Sequence, residues 1–110
     1  MNLSPDIEKA LCFIDENYDQ ELQIAALAEK IGVSYHHLCR KFKKERGGTI
    51  GSYVAQLRIE RAKELLESSS YSVAEVSKQC GYQSTVQFHR MFERLVGDTP
   101  MQYRKKAFRL

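Results

Sequence analysis

The chain has 110 residues, 43% of them hydrophobic, no tryptophan, and a formal net charge of +3. That length allows one domain or two very small ones sharing an element, and the sequence holds no apolar run of membrane-spanning length and no charged-then-apolar leader. Three cysteines, Cys12, Cys39 and Cys80, are odd in number and share no CxxC or Cys/His ligand spacing, so reduced thiols in a cytoplasmic protein are expected.

Ser4-Pro5 reads as a helix start: an N-cap residue, then proline at the first helical position, where a missing N–H costs nothing. Ile7, Leu11, Ile14 and Tyr18 mark one face of a helix over residues 5–17, and its outer face is acidic through Glu8, Asp15 and Glu16. A helix over 22–31 turns Ile24, Leu27, Ala28 and Ile31 inward, with Ala25 and Ala28 small enough for a close helix crossing. Gly32 ends it, Val33 plugs the turn, and Ser34 starts a helix running to residue 45 or 46. Helix, glycine-containing turn, helix is the helix-turn-helix pattern. Gly47-Gly48-Thr49 separates it from the longest helix, 49–68, which carries two offset apolar stripes. One holds Ile50, Tyr53, Val54, Leu57 and Leu65; the other holds Ile59, Ala62 and Leu66. A helix packed on a single layer needs one stripe, so this one reads as a connector serving two modules. Ser68-Ser69-Ser70 ends it in a polar turn.

A helix over 72–80 then buries Val73, Val76 and Cys80, and Gly81-Tyr82-Gln83 makes the turn. Ser84 starts a helix to residue 96 whose apolar set is Phe88, Phe92 and Leu95, with Met91 beside them. Gly97 closes it, and Thr99-Pro100 opens a last helix over 100–106 that turns Tyr103 to the core and Arg104, Lys105 and Lys106 to solvent. The tail 107–110 has no visible partner and is expected to fray.

The second half repeats the first at a fixed offset of 50 residues: Ser34 with Ser84, Leu38 with Phe88, Arg40 with Arg90, Phe42 with Phe92, Gly47 with Gly97, Thr49 with Thr99 and Tyr53 with Tyr103. The expected organisation is all-α, with a helix-turn-helix subdomain over 1–48, the connector helix over 49–68, and a second such subdomain over 69–110. Charge follows the repeat, with net values of −5 over 1–33, +6 over 34–63, −2 over 64–83 and +4 over 84–110. Two basic blocks at matching places favour a polyanionic partner.

The two serine-started helices carry the chemistry. In the first, Leu38, Phe42 and Tyr35 point inward, while His36, Arg40 and Lys43 lie opposite, flanked by Cys39 and Lys44. In the second, Phe88, Phe92 and Thr85 take the inner side or its edge; Val86, Arg90 and Glu93 lie opposite, flanked by His89 and Arg94. The arginine fork can make two hydrogen bonds to guanine in the major groove, a valine can meet a thymine methyl, and His36 and His89 could donate to base acceptors. Thr49 and Thr99 start the helices that follow, where hydroxyls and open amides suit phosphate. Ser34, Ser84, Lys43, Lys44 and Arg94 join them on the phosphate side. Arg58, Arg61 and Lys63 on the connector could reach backbone phosphates as well, and a solvated surface with scattered bases is the competing account of these and of each residue taken singly. For Arg40 and Arg90, recurrence at one place in a repeated motif favours DNA. Cys12 and Cys80 read as small core hydrophobes. There are no paired carboxylates, phosphate loop, nucleophile–base pair or clustered thiolates, so neither catalysis nor a metal or other cofactor is expected.

Residues LAEKIGVSYHHLCRKFKKERGGTIGSY, LRIERAKELL and SVAEVSKQCGYQSTVQFHRMFERLVGDTPMQYRKK resemble the DNA-binding domain of AraC/XylS-type bacterial transcription regulators. The most specific part is Gly81-Tyr82, Phe88, Arg90, Phe92, Gly97, Pro100, Tyr103 and Arg104. The resemblance implies seven helices in two homeodomain-like helix-turn-helix units, with both recognition helices entering successive major grooves on one face of double-stranded DNA. It implies base contacts from Tyr35, His36, Cys39 and Arg40 in the first unit and from Thr85, Val86, His89 and Arg90 in the second. Ile50 departs from the proline often found there, and Glu93 from a common basic residue. A sensor or receiver domain N-terminal to this unit in a longer parent chain is a further implication. The acidic first helix leaves RNA polymerase as a second expected partner.

Overall fold

In a computed structural model that describes residues 3–108, the chain forms seven helices and, among those residues, no strand. They are α1 Pro5–Asn17, α2 Ile24–Ile31, α3 Tyr35–Arg46, α4 Ile50–Ser68, α5 Val73–Gln79, α6 Thr85–Val96 and α7 Pro100–Ala107. Small polar residues decide where they start: Ser34, Ser72, Ser84 and Thr99 each accept from a backbone N–H three residues on, satisfying one of the helix's open donors. Gly47 and Gly97, at φ of 80° and 91°, stop α3 and α6 in the left-handed conformation that glycine adopts without strain.

Two units divide inside α4, one being Met1–Val54 and the other Ala55–Leu110. In the first, α1, α2, α3 and the start of α4 bury Ile7, Ala10, Ile14, Leu27, Ala28, Leu38, Phe42, Ile50 and Val54. In the second, Ile59, Ala62, Leu65 and Leu66 of α4 pack with Val76, Cys80, Tyr82, Phe88 and Phe92, joined by the half-buried Val73, Met91, Val96 and Tyr103. Each fully buried phenyl contributes roughly 1.5–3 kcal/mol. Phe42 in one unit and Phe88 and Phe92 in the other are therefore the heaviest single items of the two cores.

The repeat extends to a pair of tyrosines that are half-buried rather than fully interior. Tyr53 meets Phe42 edge-on at 5.9 Å and donates its hydroxyl to Asp15 of α1 at 2.7 Å. Tyr103 meets Phe92 edge-on at 5.6 Å and donates to Glu67 of α4. Asp15 thus leaves the purely solvated face assigned to it.

Several expectations need correction. Residue 22 lies outside α2, because Gln23 is extended and offers no side-chain cap. Ala25 is exposed, so only Ala28 makes the close crossing. Cys12 is exposed, since the buried face of α1 runs through Ile7, Ala10 and Ile14 and Cys12 lies on the other side. Leu95 is 44% exposed; Val96 packs in its place. Ser4 precedes α1, but its hydroxyl donates to Glu45 instead of capping. Arg104 is not a solvent cation: its Nε donates to the carbonyl of Leu66 at 3.0 Å and its Nη2 to that of Ser69 at 3.4 Å. Leu66 is one of the open carbonyls of a helix that ends without glycine, and the Ser68 and Ser69 hydroxyls add second bonds to the Glu64 and Leu65 carbonyls, the latter already accepting from the Ser69 N–H. Of the tail, Ala107 completes α7; residues 109 and 110 lie outside the described residues.

Candidate nucleic-acid interface

In the first unit α3 presents three faces. Leu38 and Phe42 bury one. His37, Lys41 and Glu45, four residues apart, face the start of α1: Lys41 Nζ is 3.2 Å from the Asp6 carboxylate, His37 Nε2 3.9 Å from it, and Glu45 accepts from the Ser4 N–H at 2.8 Å. Burial would raise the Asp6 carboxyl, but the hydrogen bond and charge of Lys41, with backbone donors, outweigh it and hold it below its ordinary value. Hydrogen bonds from the Ser4 hydroxyl and N–H likewise lower Glu45.

The third face of α3 is open. His36, Arg40, Lys43 and Lys44 are exposed and Cys39 is half-buried. Tyr35, expected inward from helical spacing, is 47% exposed and belongs with this outer set. Its ring stands edge-on to His36 at 5.5 Å, and a hydrogen bond with the Cys39 thiol is the leading cause of a raised phenol pKa. The side chains of Tyr35, His36, Cys39 and Arg40 thus fall together, one turn long, on a face that no other helix of the unit covers.

In the second unit α6 buries Phe88 and Phe92 and leaves Thr85, Val86, Arg90, Glu93 and Arg94 exposed, Val86 by 60%. His89 is half-buried, with Nδ1 2.9 Å from the Thr85 carbonyl and its ring edge-on to Phe88 at 6.0 Å. A carbonyl can only accept, so Nδ1 carries the hydrogen in that contact.

Gln87 was not singled out from the sequence for this face, and Arg58, named there as a connector base, has a neighbour that the sequence did not show. Gln87 is exposed and lies one turn before Arg90, where an amide can pair with adenine; its i,i+3 spacing was the available signal. Arg58 lies with its guanidinium 5.1 Å from the centroid of the Tyr82 ring, a neighbour no helical wheel reveals.

The helix starts that follow each reader differ. Thr49 Oγ1 accepts from the Ser52 N–H at 3.1 Å, leaving the amides of Ile50 and Gly51 ahead of it for an anion. Thr99 and Gln102 form a reciprocal capping box, Pro100 has no N–H, and only the Met101 amide remains. Ser34 and Ser84 spend a hydroxyl lone pair on the His37 and Gln87 amides respectively. Among the described residues there is no metal-holding group of three or more His, Cys, Asp or Glu, and no helix long and apolar enough to cross a membrane.

A family profile described as a helix-turn-helix domain matches residues 27–106. The xylose operon regulatory protein of Escherichia coli K12 is 30% identical over 100 residues, 91% of this chain but 26% of that protein. This chain therefore spans about a quarter of that relative's length. The DNA-binding domain of AdpA, a global transcriptional factor solved in complex with a target DNA, superposes with a TM-score of 0.87 at 28% identity, covering 94% of this chain and 93% of that one. A transcriptional regulator of the AraC-type DNA-binding class from Chromobacterium violaceum superposes with a TM-score of 0.83 at 28% identity, covering 96% and 94%. With the duplicated helix-turn-helix, the Gly81-Tyr82 turn and the Thr99-Pro100 helix start all in place, the chain belongs to the AraC/XylS family of helix-turn-helix transcription regulators.

Proposed function

We propose that this chain is a cytoplasmic module that binds double-stranded DNA sequence-specifically, with α3 and α6 entering successive major grooves, and that it regulates bacterial transcription. One observation carries the reading: each of two serine-capped helices buries a phenylalanine on one side and exposes an arginine, Arg40 or Arg90, on the other. A solvated face has no reason to repeat that arrangement.

On this reading Tyr35, His36, Cys39 and Arg40, and Thr85, Val86, His89 and Arg90, meet base edges, and Gln87 joins the second set. Ser34, Lys43, Lys44, Thr49, Ser84, Arg94 and Thr99 meet backbone phosphates. The AdpA domain was solved on a target DNA, which supports the same use of the same fold here. The family acts by binding DNA, and no catalytic step is part of this proposal.

Arg40→Ala and Arg90→Ala should each weaken binding to a selected site by about 1–3 kcal/mol while barely altering affinity for random duplex. Gel shifts at one fixed salt concentration measure both, and equal losses on the two duplexes would reject base reading by these arginines. RNA polymerase as a second partner rests on α1, whose Glu8 and Glu16 stay exposed while Asp6 and Asp15 are engaged within the unit. The greater length of the xylose regulator supports a longer parent chain with a sensor or receiver domain.

A further inference from the structure

Ser4 and Asp6, at the start of α1, hold α3 by contacts that its apolar packing does not supply. Lys41 Nζ lies 3.2 Å from each oxygen of the Asp6 carboxylate. One turn further along α3, Glu45 accepts with both oxygens from Ser4, one from its N–H at 2.8 Å and one from its hydroxyl. The Asp6 side chain is 17% exposed and that of Lys41 31%, so water screens the pair only in part. His37, Lys41 and Glu45 form one row of α3. At about 100° per residue, that row runs between the buried row of Leu38 and Phe42 and the exposed Arg40.

Apolar contact has no preferred direction and lets a helix roll on its neighbour, whereas charge-assisted hydrogen bonds fix both distance and direction. Leu38 and Phe42 keep α3 on the core, and the bonds to Ser4 and Asp6 set its rotation about its own axis. The second unit is built otherwise. Fifty residues on, the same row reads Gln87, Met91 and Leu95, none of them charged, so α6 cannot be clasped in this way.

We propose that Ser4 and Asp6 are positioning residues for base reading by α3: without touching a base, they fix the direction in which Arg40 and its neighbours point. This rests on the proposal that α3 reads base edges. Reading groups have to be held within roughly 10–20° of their working direction. A rolled α3 therefore keeps its charge on the duplex and loses its preference among bases, and only the first half-site is affected.

One measurement tests the clasp without DNA. Amide hydrogen exchange over residues 35–46 should be about tenfold faster in Asp6→Lys than in the wild type, unchanged in α6, and restored in the charge swap of Asp6→Lys with Lys41→Asp. A second tests the positioning, at a temperature where circular dichroism shows each variant folded. The affinity ratio between a selected duplex and one altered at the half-site that Arg40 reads should fall about fivefold in Asp6→Lys. The corresponding ratio for the half-site of Arg90 should stay at its wild-type value. A smaller fraction of competent protein lowers both affinities of a pair together and leaves their ratio alone. Lys41→Met, which copies the matched Met91, serves where Asp6→Lys fails to fold. Exchange in α3 that ignores these substitutions overturns the clasp. Faster exchange with an intact ratio at the first half-site overturns the positioning role. A wild type that does not distinguish selected from random duplex refutes base reading and the positioning role with it, while the exchange measurement still judges the clasp.

Discussion

Tyr103 carries the plainest consequence at the scale of one residue. Burial, then the hydrogen bond and charge of Glu67, with a further contribution from Glu60, push its phenol from 10.0 up to about 12. Burial and Asp15 raise Tyr53 in the same direction. A phenol whose pKa is higher folded than unfolded favours the folded state wherever it is protonated. That stabilisation is fully present below pH 10 and disappears as pH climbs through about 12. An alkaline titration followed by phenolate absorbance should therefore show a last-titrating tyrosine, near pH 12, that Tyr103→Phe removes. An unchanged curve in the variant would discard the Glu67 contact. Tyr82 gives a second prediction. Its hydroxyl is buried and unpartnered, so Tyr82→Phe removes a penalty and should leave thermal stability unchanged or raise it by about 1 kcal/mol. A loss of that size would mean that the hydroxyl has a partner in the folded protein.

Among the elements, α7 is the one whose start is most fully specified, by Pro100 at its first position and by the reciprocal bonds of Thr99 and Gln102. Thr99→Ala should cost about 1 kcal/mol, a drop of roughly 4–8 °C in a two-state melt of a unit this size. Thr99→Ser should restore it; a serine variant as unstable as alanine would show that the methyl group, not the cap, matters. Helix ends of this kind were legible because they depend on residues next to one another in sequence, and α1 spans 5–17 as its proline and its spacing indicate. What stayed hidden depends on partners far along the chain. Arg104 reads as one of three solvent cations until Leu66 and Ser69 are seen to lie against it. Lys41 reads as part of a basic block until Asp6 meets it 35 residues away. Tyr35 fits the inner arc of α3 by angle alone, yet it sits in the first turn, where neither α1 nor α2 covers it, and so it joins the exposed set. The candidate base-reading face was thus legible as a pattern of residues, while the seating of Arg58 over the Tyr82 ring was not.

At the scale of the whole molecule, the duplication makes a claim about DNA itself. Each unit offers an exposed arginine at the matching place, Arg40 or Arg90, on one serine-capped helix, so the preferred site should consist of two short half-sites rather than one continuous block. Helices that occupy successive major grooves of a B-form duplex read half-sites about 10–10.5 base pairs apart, centre to centre. Lengthening the spacer by about half a helical turn carries the second half-site to the opposite side of the duplex, where a helix already committed to the first cannot follow. Binding should then fall to the level of a single unit and recover in part when a full turn is inserted. The same comparison with Arg90→Ala separates the contributions: the variant, which reads the second half-site less well, should depend less on the spacer than the wild type does. Wild-type affinity that ignores spacer length would mean that the two units do not engage one duplex together, and bipartite recognition would have to be abandoned even if each arginine proved to read a base.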